Sequence, residues 1–138
     1  MKKTWFVLMI VLLGIAVAVA YFFLDSLFPM AESISCPDEE LAYEIRLVCD
    51  DGDFVVVDGA EHKRILEGIA DAKPTRTMSV NDYPAVEVYY AIEVDSADGR
   101  YRYFLFIENS QAYIEIPYEG VYKTNQQFFD LVAGYFEK

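Results

Sequence analysis

The stretch from Ala85 to Pro117, AVEVYYAIEVDSADGRYRYFLFIENSQAYIEIP, reads as three strands joined by two turns. Apolar and polar residues alternate along it with the period of two that a half-buried strand requires. With a first turn at Ser96–Gly99, Asp95 faces Arg100 and Glu93 faces Arg102, both favourable cross-strand pairs. The same register sets Val94 opposite Tyr101, Ile92 opposite Tyr103, Tyr90 opposite Leu105 and Val88 opposite Ile107. A second turn at Asn109-Ser110 brings Leu105 to Ile114 and Tyr103 to Ile116. One face then fills with apolar side chains from all three strands. A slip of one residue in any strand would turn its side chains over and undo that agreement.

The register also defines the opposite face. Tyr89, Ala91, Phe104, Phe106 and Tyr113 occupy its centre, with Glu87, Glu93, Glu115, Arg100 and Arg102 around them. The second face of an antiparallel sheet is commonly wet and polar, so an aromatic centre needs either a cover or a partner. A cover could come from the N-terminal hairpin, a loop or a helix. Left open, the face is an apolar surface of the kind that marks partner binding. Tyr118 and Tyr122 extend this patch as amphipathic rings suited to interfaces. The candidate partner-binding residues are therefore Tyr89, Phe104, Phe106, Tyr113, Tyr118 and Tyr122.

Before this stretch, LAYEIRLVCDDGDFVVVDG (41–59) reads as a hairpin with its turn at DDGD. DGAEHKRILEGIADAKP (58–74) reads as a helix, with Asp58 and Glu61 at capping-box spacing and Ile65, Leu66 and Ile69 on its apolar stripe. After the stretch, YIEIPYEGVYKT (113–124) closes the last strand. Pro117 ends it, Glu119-Gly120 turns, and Val121-Tyr122 leads to a helix capped by Thr124 and Gln127. Phe128, Leu131, Val132 and Tyr135 are that helix's buried stripe. The order ββαβββα indicates an α+β domain over residues 33–138, with a mainly antiparallel sheet and helices packed on one face.

The chain opens MKKTWFVLMIVLLGIAVAVAYFFLD, with 20 uncharged residues from Trp5 to Leu24. A helix of that length spans about 30 Å, the thickness of a bilayer's hydrocarbon. Residues 1–4 form a cytoplasmic N-terminus, 5–24 a transmembrane signal anchor in the lipid bilayer and 25–32 a stalk. Lys2 and Lys3 hold the N-terminus inside by the positive-inside rule, so the domain lies outside a single-pass cell-membrane anchor. Ala18-Val19-Ala20 imitates a cleavage site, and cleavage there would make the domain secreted.

With those lysines inside, the external part keeps nine basic residues against 23 acidic ones, and the whole chain carries −12. That balance excludes nucleic acid as a natural partner. It suits cationic peptides, basic proteins, metal cations or plain solubility. Cys36 and Cys49 lie in the external part, where a disulfide is permitted; a buried thiol at Cys49 is the alternative. No metal or cofactor is expected. Two cysteines and one histidine supply too few ligands, and Asp50, Asp51 and Asp53 lack EF-hand spacing. His62, the lone histidine, reads as a surface residue beside Lys63 and Arg64. The chain has no G-x-S-x-G, P-loop or dinucleotide fingerprint, so no catalytic residue is assigned. A carboxylate pair among the 23 acids leaves a small hydrolase as an alternative.

The segments TRTMSVND (75–82) and YIEIPYEGVYKT (113–124), set around the long hairpin, resemble those of a family of small Gram-positive proteins classed only as a domain of unknown function. The resemblance implies one N-terminal anchor or signal followed by one external domain. It carries no activity and no catalytic residue, and it directs attention to Arg76, Ser79, Asn81, Asp82, Tyr118 and Gly120. The expected function is a membrane-tethered extracytoplasmic binding or accessory domain that contacts an envelope protein or peptide. A secreted inhibitor-like or immunity-like domain is the reading if the signal is cleaved.

Overall fold

A computed structural model describes residues 2–137. Helix α1 (Lys2–Leu27) precedes a single sheet. The other elements are β1 (Ala42–Cys49), β2 (Phe54–Val56), α2 (His62–Ala70), β3 (Lys73–Pro74), β4 (Tyr90–Ser96), β5 (Gly99–Glu108), β6 (Gln111–Ile116), β7 (Gly120–Lys123) and α3 (Gln126–Ala133). A 3₁₀ turn, Gly59–Glu61, leads into α2, with the Asp58 carboxylate accepting from the Ala60 N–H. The sheet order is β2-β1-β4-β5-β6-β7-β3, and every neighbouring pair is antiparallel. The domain is α+β, as its sequence pattern requires.

The long-hairpin register is the one that charge pairing and parity select. Asp95 lies opposite Arg100, Glu93 opposite Arg102, Tyr90 opposite Leu105 and Leu105 opposite Ile114. The second turn is glycine-free: Asn109 (φ 50°) and Ser110 (φ 63°) both take the left-handed conformation that a tight two-residue hairpin needs. The expected pair of Val88 with Ile107 does not form, because β4 begins at Tyr90 and Val88 is exposed.

Two strands escape the sequence pattern. β7 occupies Gly120–Lys123, where a turn and a helix lead-in were expected, and β3 adds a two-residue edge beside it. The turn before β7 falls at Pro117-Tyr118-Glu119, with Tyr118 at φ 62°. Gly120 instead serves close approach: a Cβ there would lie 2.5 Å from the Ala31 Cβ.

One sheet face forms the core. Ile45, Leu47, Ile92, Val94, Leu105 and Ile114 are fully buried against Ile65 and Ile69 of α2 and Phe128 and Val132 of α3. His62, expected on the surface, is buried, with Nε2 3.3 Å from the Val57 carbonyl oxygen. It stands three and four positions before Ile65 and Leu66, so it shares their stripe rather than the solvent face. The α3 cap also differs from the expected box. Asn125 is the N-cap and its side chain accepts from the Phe128 N–H at 2.8 Å, while the buried Thr124 hydroxyl oxygen has no hydrogen-bond partner.

Helix α1 is exposed over Thr4–Tyr21, and that window is long and apolar enough to cross a membrane. Lys2 and Lys3, on which its orientation was argued, have side chains outside the described residues. Part of the segment read as a stalk belongs to the domain. The Met30 N–H donates to the Thr75 carbonyl at 3.0 Å and Ala31 is buried in the core. Beyond it, the Tyr103 hydroxyl donates to the Ser35 carbonyl at 2.6 Å.

Candidate functional site

The second sheet face is divided. Toward β1 it is wet, with Arg46 paired to Glu44 at 2.9 Å, Arg102 to Glu93 at 2.6 Å and Arg100 to Asp95 at 2.5 Å. Toward β6 and β7 it is covered by the loop of residues 75–89. Tyr83 of that loop packs against Phe104 at 5.6 Å between ring centroids, and Tyr89 meets Phe104 edge-on at 5.4 Å. Phe104 is 1% exposed and Phe106 5%.

Hydrogen bonds pin the loop at both of the segments singled out in the sequence. Thr75 donates its N–H and its hydroxyl to the Val121 carbonyl, at 3.1 and 2.7 Å, and the Val121 N–H returns to the Thr77 carbonyl at 2.9 Å. The Ser79 hydroxyl donates to the Glu115 carboxylate at 2.6 Å and accepts the Tyr118 N–H at 3.3 Å. The Tyr118 hydroxyl donates to Asp82 at 2.6 Å, and that bond holds the phenol above its ordinary range. Thus 75–82 and 113–124 form one structural knot.

A cleft of about 250 Å³ remains between loop and sheet. Its walls include Val80, Ala85 and Val86 of the loop and Phe106, Tyr113 and Val121 of the sheet. The Phe106 and Tyr113 rings stack at 5.8 Å. Two acids line it, Glu108 and Glu115, and Glu115 is only 7% exposed. The loop exposes Val80 at the cleft wall, and the loop and the turn beside it expose Tyr83, Val88 and Tyr118 outside the cleft.

The candidate patch is therefore redistributed. Phe104 lies buried beneath the loop, and Phe106 is buried there with its ring in the cleft wall. Tyr89 is half-buried against Phe104, and Tyr113 is half-buried in the cleft. Tyr118 is 63% exposed at the turn beside the loop. Tyr122 lies on the other face, 1% exposed in the main core, because it pairs with Ile114 and shares its parity. Of the residues the resemblance pointed to, Ser79 and Asn81 line the cleft, while Asp82, Tyr118 and Gly120 belong to the knot beside it; Arg76 does not line it. Sequence reasoning set Glu115 on the rim; its signal was a carboxylate on the parity of the aromatic face.

The cysteines are both free. Cys36 donates to the Leu66 carbonyl at 3.6 Å and burial pushes its thiol up to about 11, whereas Cys49 donates to the Asp51 carboxylate at 2.7 Å. Each thiol is engaged with an oxygen of its own neighbourhood. Among the described residues, no group of three or more His, Cys, Asp or Glu side chains is arranged to hold a metal ion.

Residues 30–123 match the model of the family DUF5301, described as a domain of unknown function (DUF5300), and the chain belongs to that family. It is also similar to a protein from Ruminococcus gnavus whose structure was determined by NMR. The two share 29% identity and a TM-score of 0.59 over 70% of this chain and 99% of that one. No curated protein matches.

Proposed function

We propose that the chain is a membrane-tethered extracytoplasmic binding or accessory module that meets a protein or peptide partner at the cell envelope. Its contact surface is the outer side of the 75–89 loop with the cleft beneath it. The observation that carries this reading is the convergence of residues 75–82 and 113–124 on a cleft with apolar walls and a buried carboxylate. Exposed Tyr83, Val88 and Tyr118 give that face apolar area beyond the cleft. The apolar helix α1 supports the tether, since it has the length and composition of a membrane span. Cleavage after Ala20 would release the same domain, and the mass of the mature N-terminus separates the two forms.

A binding role is also favoured by the state of Ser79, the nearest hydroxyl to a carboxylate in the cleft. It is 5% exposed and engaged both as donor to Glu115 and as acceptor from Tyr118, which suits a lock more than a nucleophile. The test is photocrosslinking in native cells from residue 80, with the exposed residue 63 of α2 as control. Position 80 should yield a discrete adduct that position 63 does not. Identical patterns from both positions would remove the loop face as the contact surface.

A further inference from the structure

The cleft has a charge asymmetry. Its lining residues include two carboxylates, Glu108 and Glu115, and no lysine or arginine. Glu115 is buried and accepts the Ser79 hydroxyl, with Phe106 and Tyr113 stacked beside it on the same face. The acids of the neighbouring sheet surface are arranged differently: Glu44, Glu93 and Asp95 each have an arginine partner within 2.9 Å. Glu44, Glu93 and Asp95 are thus paired within the sheet, whereas the residues lining the cleft include Glu108 and Glu115 and no lysine or arginine.

We propose that the cleft receives the cationic side chain of a partner polypeptide, a lysine or an arginine. Its head would meet the Glu115 carboxylate and its apolar stem would lie along Val80, Val86 and the Phe106–Tyr113 pair. Each feature answers a part of that side chain. A long basic residue buries an aliphatic stem while its charge seeks a counter-ion. Aromatic faces attract the cation further. A carboxylate held in apolar surroundings makes a stronger charge-assisted bond than one in water. Glu108 adds a second negative charge to the cleft, and the net −12 of the chain favours the approach of a basic partner. Two carboxylates are too few for a calcium cage, which takes six to eight oxygen ligands. This inference rests on the reading of the loop and cleft as a contact surface, and it specifies the chemistry of what enters.

The test uses the full chain in lipid nanodiscs, followed by amide NMR during titration with acetyl-Val-Lys-Val-amide. The uncharged isostere carrying norleucine in place of lysine is titrated in parallel. Saturable shifts should concentrate at Thr77, Ser79, Tyr113 and Val121. Affinity should fall by about tenfold or more for the norleucine peptide and for the Glu115→Gln chain, the scale of a lost charge-assisted contact. Glu93→Gln, in the ion-paired half of the sheet, should leave it unchanged. If Glu115→Gln disturbs the Ser79 lock, Glu108→Gln removes cleft charge without touching it and should also weaken binding. Equal binding of both peptides would overturn the cationic inference while leaving the cleft as a contact surface. Shifts spread over the whole acidic surface and insensitive to both cleft variants would overturn it as well.

Discussion

Ser79 joins segments that lie 36 positions apart in the chain, through one 2.6 Å bond to Glu115. Removing its hydroxyl leaves a buried carboxylate oxygen and the Tyr118 N–H without that partner. Ser79→Ala should therefore cost about 1–3 kcal/mol in denaturant unfolding, the penalty of orphaned buried polar groups. Gly68 presents a contest between two effects. Alanine improves a helix interior by about 1 kcal/mol, but a Cβ at this position would lie 2.1 Å from a Phe128 ring carbon. Overpacking of about 1–3 kcal/mol wins, so Gly68→Ala should lower the unfolding midpoint. Cys36 gives a pH test. Its thiol, raised from 9.0 to about 11 by burial, adds stability that is fully present below pH 9 and is lost as pH rises through 11. At pH 8 its thiolate fraction is about a hundredfold below that of an unperturbed thiol. Iodoacetamide should thus modify Cys36 far more slowly in the native chain than in the denatured one, as read by peptide mass.

Among the elements, the central hairpin was the most legible because two independent signals agree on it. Charge pairing puts Glu93 on Arg102 and Asp95 on Arg100, and the alternation of apolar residues demands the same register. β7 was hidden for a stated reason. Glu119-Gly120 was read as the turn, yet the turn's positive φ falls at Tyr118 and Gly120 serves contact with Ala31. The cover over the aromatic face was equally illegible, since TRTMSVND has no periodicity and its order comes from partners 36 or more positions away. The α3 terminus separates the expected cap from the real one. Asn125→Ala should cost about 1 kcal/mol. Thr124→Val should be neutral or stabilising, because it replaces a hydroxyl without a partner by an isosteric methyl. Thermal unfolding of the two variants decides between them, and the capping box suggested by Thr124 and Gln127 predicts the reverse order.

For the molecule as a whole, one sheet serves two purposes. Its helix-covered face stabilises the domain, and its other face carries a loop that leaves an acid-lined cleft and an apolar outer surface. A segment that bonds Met30 to Thr75 connects this arrangement directly to helix α1. The site was only partly legible in the sequence: parity identified the aromatic face, but not that the residues around TRTMSVND would cover it and leave the cleft. The central claim is that residues 75–82 are fixed across that face by residues 113–124. Hydrogen exchange of the Thr75, Tyr118 and Val121 amides tests it directly, since each donates a bond of the knot. The account predicts protection approaching that of β4 and β5, with Tyr118 losing it in Ser79→Ala. Exchange of all three at the rate of unstructured chain, while β4 and β5 stay protected, would contradict it.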